Sequence, residues 1–165
     1  MKKDNYTVLV VDDDFISYLL IKEMLSPFKI DLLYANCGSS AIKTCINNDD
    51  ISLIFMDIKM KGMNGFETAS FIKGFRKNVP IVFQTAYAEE FSHDAFMIQI
   101  GSGYIEKPIK KTTLMNEVNK YLNLEIKKTT IKNEKITFLN KKISFGELFK
   151  KLNFSLSFND FYTFL

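Results

Sequence analysis

The run "VLVVDDDF", residues 8–15, carries four apolar residues straight into Asp12, Asp13 and Asp14. Carboxylates ~4 Å apart repel by roughly 4 kcal/mol at an intermediate dielectric. Three of them on one short loop raise their own pKa values or open the surrounding structure, unless something cationic sits among them. Groups of complementary chemistry stand at the ends of other apolar runs. "LIFMD" ends in Asp57, "IVFQTA" carries Thr85, and "GYIEKP" carries Lys107 followed by Pro108. If these converge, the carboxylates suit Mg²⁺, a hard cation often held by one or two carboxylates plus phosphate oxygens. Thr85 and Lys107 would offer a donor and a cation to those phosphate oxygens. Asp57, apart from the Asp12–Asp14 cluster in sequence, is then the free nucleophile. Attack of its carboxylate on phosphorus gives an acyl phosphate. Little else is required, because phosphoryl transfer relies mostly on positioning and charge neutralisation.

Convergence depends on the elements between these groups. Short apolar runs at 7–11, 30–34, 52–56, 81–84 and 103–105 read as strands. Between them lie amphipathic stretches. Ile16, Leu19, Leu20 and Met24 share a face over 14–25, and Ala41, Ile42, Cys45 and Ile46 share one over 40–47. Phe66, Ala69 and Phe71 do so less cleanly over 64–75, and Leu114, Val118, Tyr121 and Leu122 over 114–122. Asn64 and Glu67 have capping-box spacing, Asp14 suits a helix N-terminus, and Pro80 opens a strand. Five β-α repeats with little polar interruption predict a parallel sheet covered by helices on both faces. Right-handed crossovers leave few topologies. Such open sheets place their working site at the carboxyl ends of the strands, where the four groups stand.

The fragments "VLVVDDD", "LIFMDIKMKGMNG", "IVFQTA" and "GYIEKPI", in this order and spacing, resemble the receiver domains of two-component response regulators. The resemblance spans roughly residues 5–124. It implies a flavodoxin-like, doubly wound, five-stranded parallel sheet of order 2-1-3-4-5, an order for which a member of this family is itself a standard example. It implies that Asp57 takes a phosphoryl group from a histidine kinase or phosphotransfer protein. Asp12, Asp13, Asp57 and the backbone carbonyl of Lys59 would hold Mg²⁺, while Thr85 and Lys107 would bind the phosphoryl oxygens. Tyr104 would be an aromatic switch that turns inward as Thr85 is drawn to the phosphate. Lys107–Pro108 would be a cis peptide, and output would leave through the fourth-helix, fifth-strand, fifth-helix face near Tyr104 toward a downstream partner. The chain departs from the family pattern at Lys61, where a proline is usual. Lys59 and Tyr87 occupy positions that influence how water reaches the acyl phosphate, and a bulky Tyr87 beside a cation suggests slow loss of phosphate.

Composition bounds the alternatives. Of 165 residues, 47% are apolar and 25% charged, which is globular. Cys37 and Cys45 match no zinc or redox spacing and read as reduced packing residues. "MKKDNY" leads into a strand-like run without a small-residue cleavage site, and no apolar run reaches the ~18 residues a membrane span needs, so a cytoplasmic chain is expected. The net charge of +3 hides an asymmetry: residues 1–125 carry net −2 and residues 126–165 net +5. The expected division is a receiver domain over 1–125 and a basic, Phe-rich extension over 126–165. Seven of the sixteen phenylalanines fall in that extension, too much apolar surface to leave in water. Within it "SFGELFKKLNF" fits an amphipathic helix and "FSLSF" a strand. The extension packs on its own receiver, or serves as a homodimer contact or partner-binding helix. Its phenylalanines at helical spacing suit packing better than nucleic-acid binding. His93, the only histidine, reads as a surface residue. Two other functions compete with a stand-alone regulator. The chain could be the receiver module of a hybrid sensor histidine kinase. It could also be a haloacid-dehalogenase-like phosphatase with Asp12 as nucleophile and Asp14 as general acid, although Asp57 then has no role.

Overall fold

In a computed structural model, which describes residues 5–86 and 100–124, each of the five apolar runs is a strand. The strands are β1 (Tyr6–Val11), β2 (Ile30–Ala35), β3 (Ile51–Asp57), β4 (Ile81–Thr85) and β5 (Gly103–Glu106). The described helices are α1 (Phe15–Leu25), α2 (Gly38–Asn47), α3 (Gly65–Phe75) and α4 (Lys111–Tyr121). The strands form one parallel sheet in the order β2-β1-β3-β4-β5, as expected. The described residues belong to the first of the chain's two units, Met1–Lys128. Among them, no helix is long and apolar enough to cross a membrane. Tyr87, His93 and the Phe-rich extension lie outside the described residues.

The central strands β1, β3 and β4 are buried on both faces, which is why they read as unbroken apolar runs rather than alternating ones. Successive side chains point to opposite faces. Leu9, Val11, Ile54, Met56, Ile81 and Phe83 therefore pack with Ala41 and Cys45 of α2 and with Ala69 and Ile72 of α3. Val8, Val10, Leu53, Phe55, Val82 and Ile105 pack with Ile21 and Leu25 of α1 and with Leu114 and Val118 of α4. Fully burying one such side chain contributes about 1.5–3 kcal/mol, so the two layers dominate the stability of the sheet.

The helices differ from the sequence reading in which face they bury. In α1 the sheet takes Ile21 and Leu25, with Tyr18 and Met24 partly covered, while Ile16, Leu19 and Leu20 stay exposed. The helix is apolar around most of its circumference, so helical periodicity fits two faces and only the sheet selects one. In α3, Ala69 is buried as expected, but Ile72 and Thr68 complete the stripe and Phe71 is exposed. In α2, Ile46 is exposed beside buried Ala41 and Cys45. The start of α3 follows the predicted cap. Asn64 Oδ1 accepts from the Glu67 N–H at 2.9 Å, and Glu67 Oε2 accepts from the Asn64 N–H at 3.0 Å. Such a cap contributes typically about 1 kcal/mol.

Candidate functional site

The carboxyl ends of β1, β3 and β5 bring Asp12, Asp13, Asp57 and Lys107 together. Carboxylate oxygens of Asp12, Asp13 and Asp57 all lie within 4.8 Å of one another. Lys107 Nζ sits 2.8 Å from Asp12 Oδ2 and 3.1 Å from Asp57 Oδ1. Asp12 is fully buried and its carboxylate is occupied twice, since Oδ1 accepts from the Asp14 N–H at 2.9 Å. Asp13 is exposed on the rim, beside an open cleft bordered by Lys59, Met60, Lys61 and Asn64. Asp14 does not join the cluster; it caps α1 by accepting from the Ile16 N–H at 2.9 Å. Thr85 is buried at the end of β4, and its carbonyl accepts from the Lys107 N–H at 2.7 Å, tying the last two strands together at the rim. Pro108 follows through a cis peptide bond. The backbone N–H of Lys59 bonds to the Asp57 carboxylate. Tyr104 stands on β5 opposite Phe83, with 43% of its surface exposed.

Burial sets the charges of this cluster against one another. It pushes the Asp57 carboxyl above the usual carboxylate range; the Lys107 ammonium pulls it back and Asp12 pushes it up again. Burial lowers Lys107, but Asp12 and then Asp57 outweigh it and hold the ammonium above its ordinary value. One ammonium against three carboxylates leaves the rim with excess negative charge. The donors are all oxygens and one carboxylate faces the open cleft, so the residues fit a hard divalent cation such as Mg²⁺.

Two supporting residues escape a motif-by-motif reading. Tyr34, on β2, donates its hydroxyl to the Asp12 carbonyl at 3.0 Å. Burial, then Asp12, Asp14 and Asp13, raise the Tyr34 pKa, so it stays a neutral phenol able to donate. Gly65 opens α3 directly under the end of β3. A Cβ there would lie 2.1 Å from the Asp57 carbonyl oxygen and 2.9 Å from the Ile58 Cα, both backbone atoms that cannot swing aside. Only the spacing of Gly65 after Asp57 in "DIKMKGMNG" hinted at this. The cysteines part company. Cys45 is buried, which pushes its thiol up to about 11 and suits the packing role. Cys37 is only half-buried, and the hydroxyls of Ser39 and then Ser40 bring its thiol down to about 7, so it is not a core residue.

The rim can be compared with known proteins. The model of the response regulator receiver domain matches residues 8–119. The transcriptional regulatory protein YrkP of Bacillus subtilis is 33% identical over 109 residues, covering 66% of this chain and 46% of that protein. The autoinducer 1 sensor kinase/phosphatase LuxN of Vibrio campbellii is 30% identical over 115 residues, covering 70% of this chain but 13% of that protein. The chain thus spans less than half the length of these curated relatives. Among solved structures, a receiver domain from Clostridium thermocellum superposes with a TM-score of 0.66 at 21% identity, covering 72% of this chain and 94% of that one. The receiver domain of the Pseudomonas aeruginosa sensor histidine kinase PA1611, solved with magnesium in its active-site cleft, gives 0.64 at 20% identity, covering 71% and 97%. The sheet order, the three-carboxylate rim and the family match over most of the folded unit lead to one assignment: the chain belongs to the response regulator receiver domain family of two-component signalling.

Proposed function

We propose that this chain is a phosphorylation-controlled switch of a two-component phosphorelay, with Asp57 as the phosphoacceptor. The observation that carries the reading is Lys107 Nζ held between Asp57 Oδ1 at 3.1 Å and Asp12 Oδ2 at 2.8 Å, within the three-carboxylate cluster. An Asp57 carboxylate oxygen attacks the phosphorus of a kinase phosphohistidine. The new O–P bond forms as the P–N bond breaks, and the electron pair and a proton leave with the imidazole. Asp12, Asp13, Asp57 and the Lys59 carbonyl would hold Mg²⁺, which neutralises charge on the phosphoryl oxygens when bound. Lys107 is already at the reacting carboxylate and exchanges Asp57 for a phosphoryl oxygen. The Thr85 hydroxyl, at the end of the neighbouring strand, takes a second one. Tyr104, two-fifths exposed on β5, is the residue that reports the movement of Thr85 to a downstream protein. Such a local charge change biases a two-state element rather than creating a new structure. The unit over 1–125 carries this chemistry, and 126–165 is an appended output or packing segment.

Similarity to LuxN favours a second reading, in which the chain is the receiver module of a hybrid sensor kinase. Rapid transfer from a separately purified histidine kinase would speak for the stand-alone regulator. The phosphatase reading has less support, because it leaves Asp57, held in the carboxylate cluster and 3.1 Å from Lys107 Nζ, without a role. The deciding experiment incubates the whole chain with Mg²⁺ and acetyl phosphate and maps the adduct by mass spectrometry. One phosphoryl group on Asp57 is expected, and none on a folded Asp57→Asn variant. Label on Asp12, or undiminished uptake by Asp57→Asn, would overturn the assignment.

A further inference from the structure

The loop that presents the carboxylates is held on both sides of a single residue. The Asp12 N–H donates to the Ala35 carbonyl at 3.1 Å, which continues the β1–β2 pairing. The Asp12 carbonyl, on the far side of the same Cα, has left the ladder and accepts from Tyr34 Oη at 3.0 Å instead. That carbonyl belongs to the peptide joining Asp12 to Asp13. Its plane therefore fixes the direction in which Asp13 leaves the backbone. Asp13 is the exposed member of the carboxylate cluster, with no burial of its own to hold it.

The phenol is itself braced. The Tyr34 ring lies 4.8 Å from that of Tyr18 and 5.3 Å, edge-on, from that of Phe15, and Phe15 and Tyr18 are 5.5 Å apart. Both partners lie in the first turn of α1, which begins three residues after Asp12. Offset and edge-on aromatic pairs at such distances contribute roughly 0.5–1.5 kcal/mol each beyond burial. The ring is therefore locked between strand and helix, and its hydroxyl points at one peptide. We propose that Tyr34 is a positioning residue for the metal: it pins the Asp12–Asp13 peptide so that Asp13 is pre-oriented to hold Mg²⁺. A ligand held in place before binding loses less freedom on binding, which appears as affinity. This rests on the reading of Asp12, Asp13 and Asp57 as the Mg²⁺ site.

Tyr34→Phe keeps the ring and its aromatic contacts and deletes only the hydroxyl. Tyr121→Phe is the matching control, because its hydroxyl also donates to a backbone carbonyl, that of Ser102, next to the opposite end of β5. Mg²⁺ affinity of the whole chain is measured by calorimetry, and the Asp13 amide, which belongs to the pinned peptide, is followed by NMR in metal-free protein. Tyr34→Phe is expected to weaken Mg²⁺ about five-fold, the equivalent of one ordinary hydrogen bond. It is also expected to displace the Asp13 amide resonance, while Tyr121→Phe leaves both unchanged. Mg²⁺ affinity of Tyr34→Phe within two-fold of the parent, an unmoved Asp13 amide, or equal weakening by Tyr121→Phe would overturn the inference and leave the metal site standing. A parent chain that binds no Mg²⁺ would overturn both.

Discussion

On the proposed function Asp57 has to be ionised to act as a nucleophile, yet the fold resists that ionisation. Burial holds its carboxyl above the ordinary 3.8 despite the nearby ammonium. The folded chain thus binds this proton more tightly than the unfolded chain does. By linkage, stability then falls as pH rises from 3.8 through the raised value, and the penalty is complete above it. Asp57→Asn removes the penalty while Lys107 keeps its 2.8 Å contact with Asp12. The variant is expected to melt a few degrees higher than the parent at neutral pH, a change of about 1 kcal/mol on a domain of this size. The gap should close on acidification toward 3.8, and calorimetric melting temperatures across that range check the sign. At this scale the sequence was informative wherever a charged or hydroxyl residue interrupts an apolar run. Asp12, Asp13, Asp57 and Lys107, which the fold brings together, could each be picked out that way. Tyr34 could not, because its hydroxyl serves a carbonyl 22 residues earlier, and only the β1–β2 register puts the two side by side.

Whole elements show the same divide between local signals and tertiary choice. The cap of α3 was readable because Asn64 and Glu67 satisfy each other within one turn. The buried face of α1 was not, because a helix apolar on most sides leaves the selection to the sheet. The approach of α3 to β3 was equally hidden, although it governs how the end of β3 that carries Asp57 is held. Gly65→Ala places a methyl 2.1 Å from the Asp57 carbonyl oxygen, so the first turn of α3 must withdraw. Overpacking of this kind costs typically 1–3 kcal/mol. A lower urea midpoint is expected, together with slower phosphoryl uptake, because the displaced strand end carries Asp57. A control at Gly74, where an added Cβ would meet nothing within 4 Å, should do neither.

Across the whole molecule, the described core is drawn from residues before 125. Among the described residues, its two apolar layers cover β1 to β5 with α1 to α4, joined by Ile58, Met60, Val79 and Ile109. A chain ending at residue 125 is therefore expected to unfold in a single urea transition and to take up phosphate from acetyl phosphate as fast as the whole chain. A chain that fails to fold when shortened there would place part of the extension inside the receiver. Strand count and order could be anticipated because parallel β-α units admit few arrangements. The extension offered no such constraint: its charge and phenylalanines describe a surface, not a position. The ion pair between Asp12 and Lys107 joins residues 95 positions apart. During synthesis Asp57 leaves the ribosome some fifty residues before the lysine that must face it. On the proposed function, a nascent chain consequently stays deaf to any phosphodonor until β5 and the lysine after it have been laid.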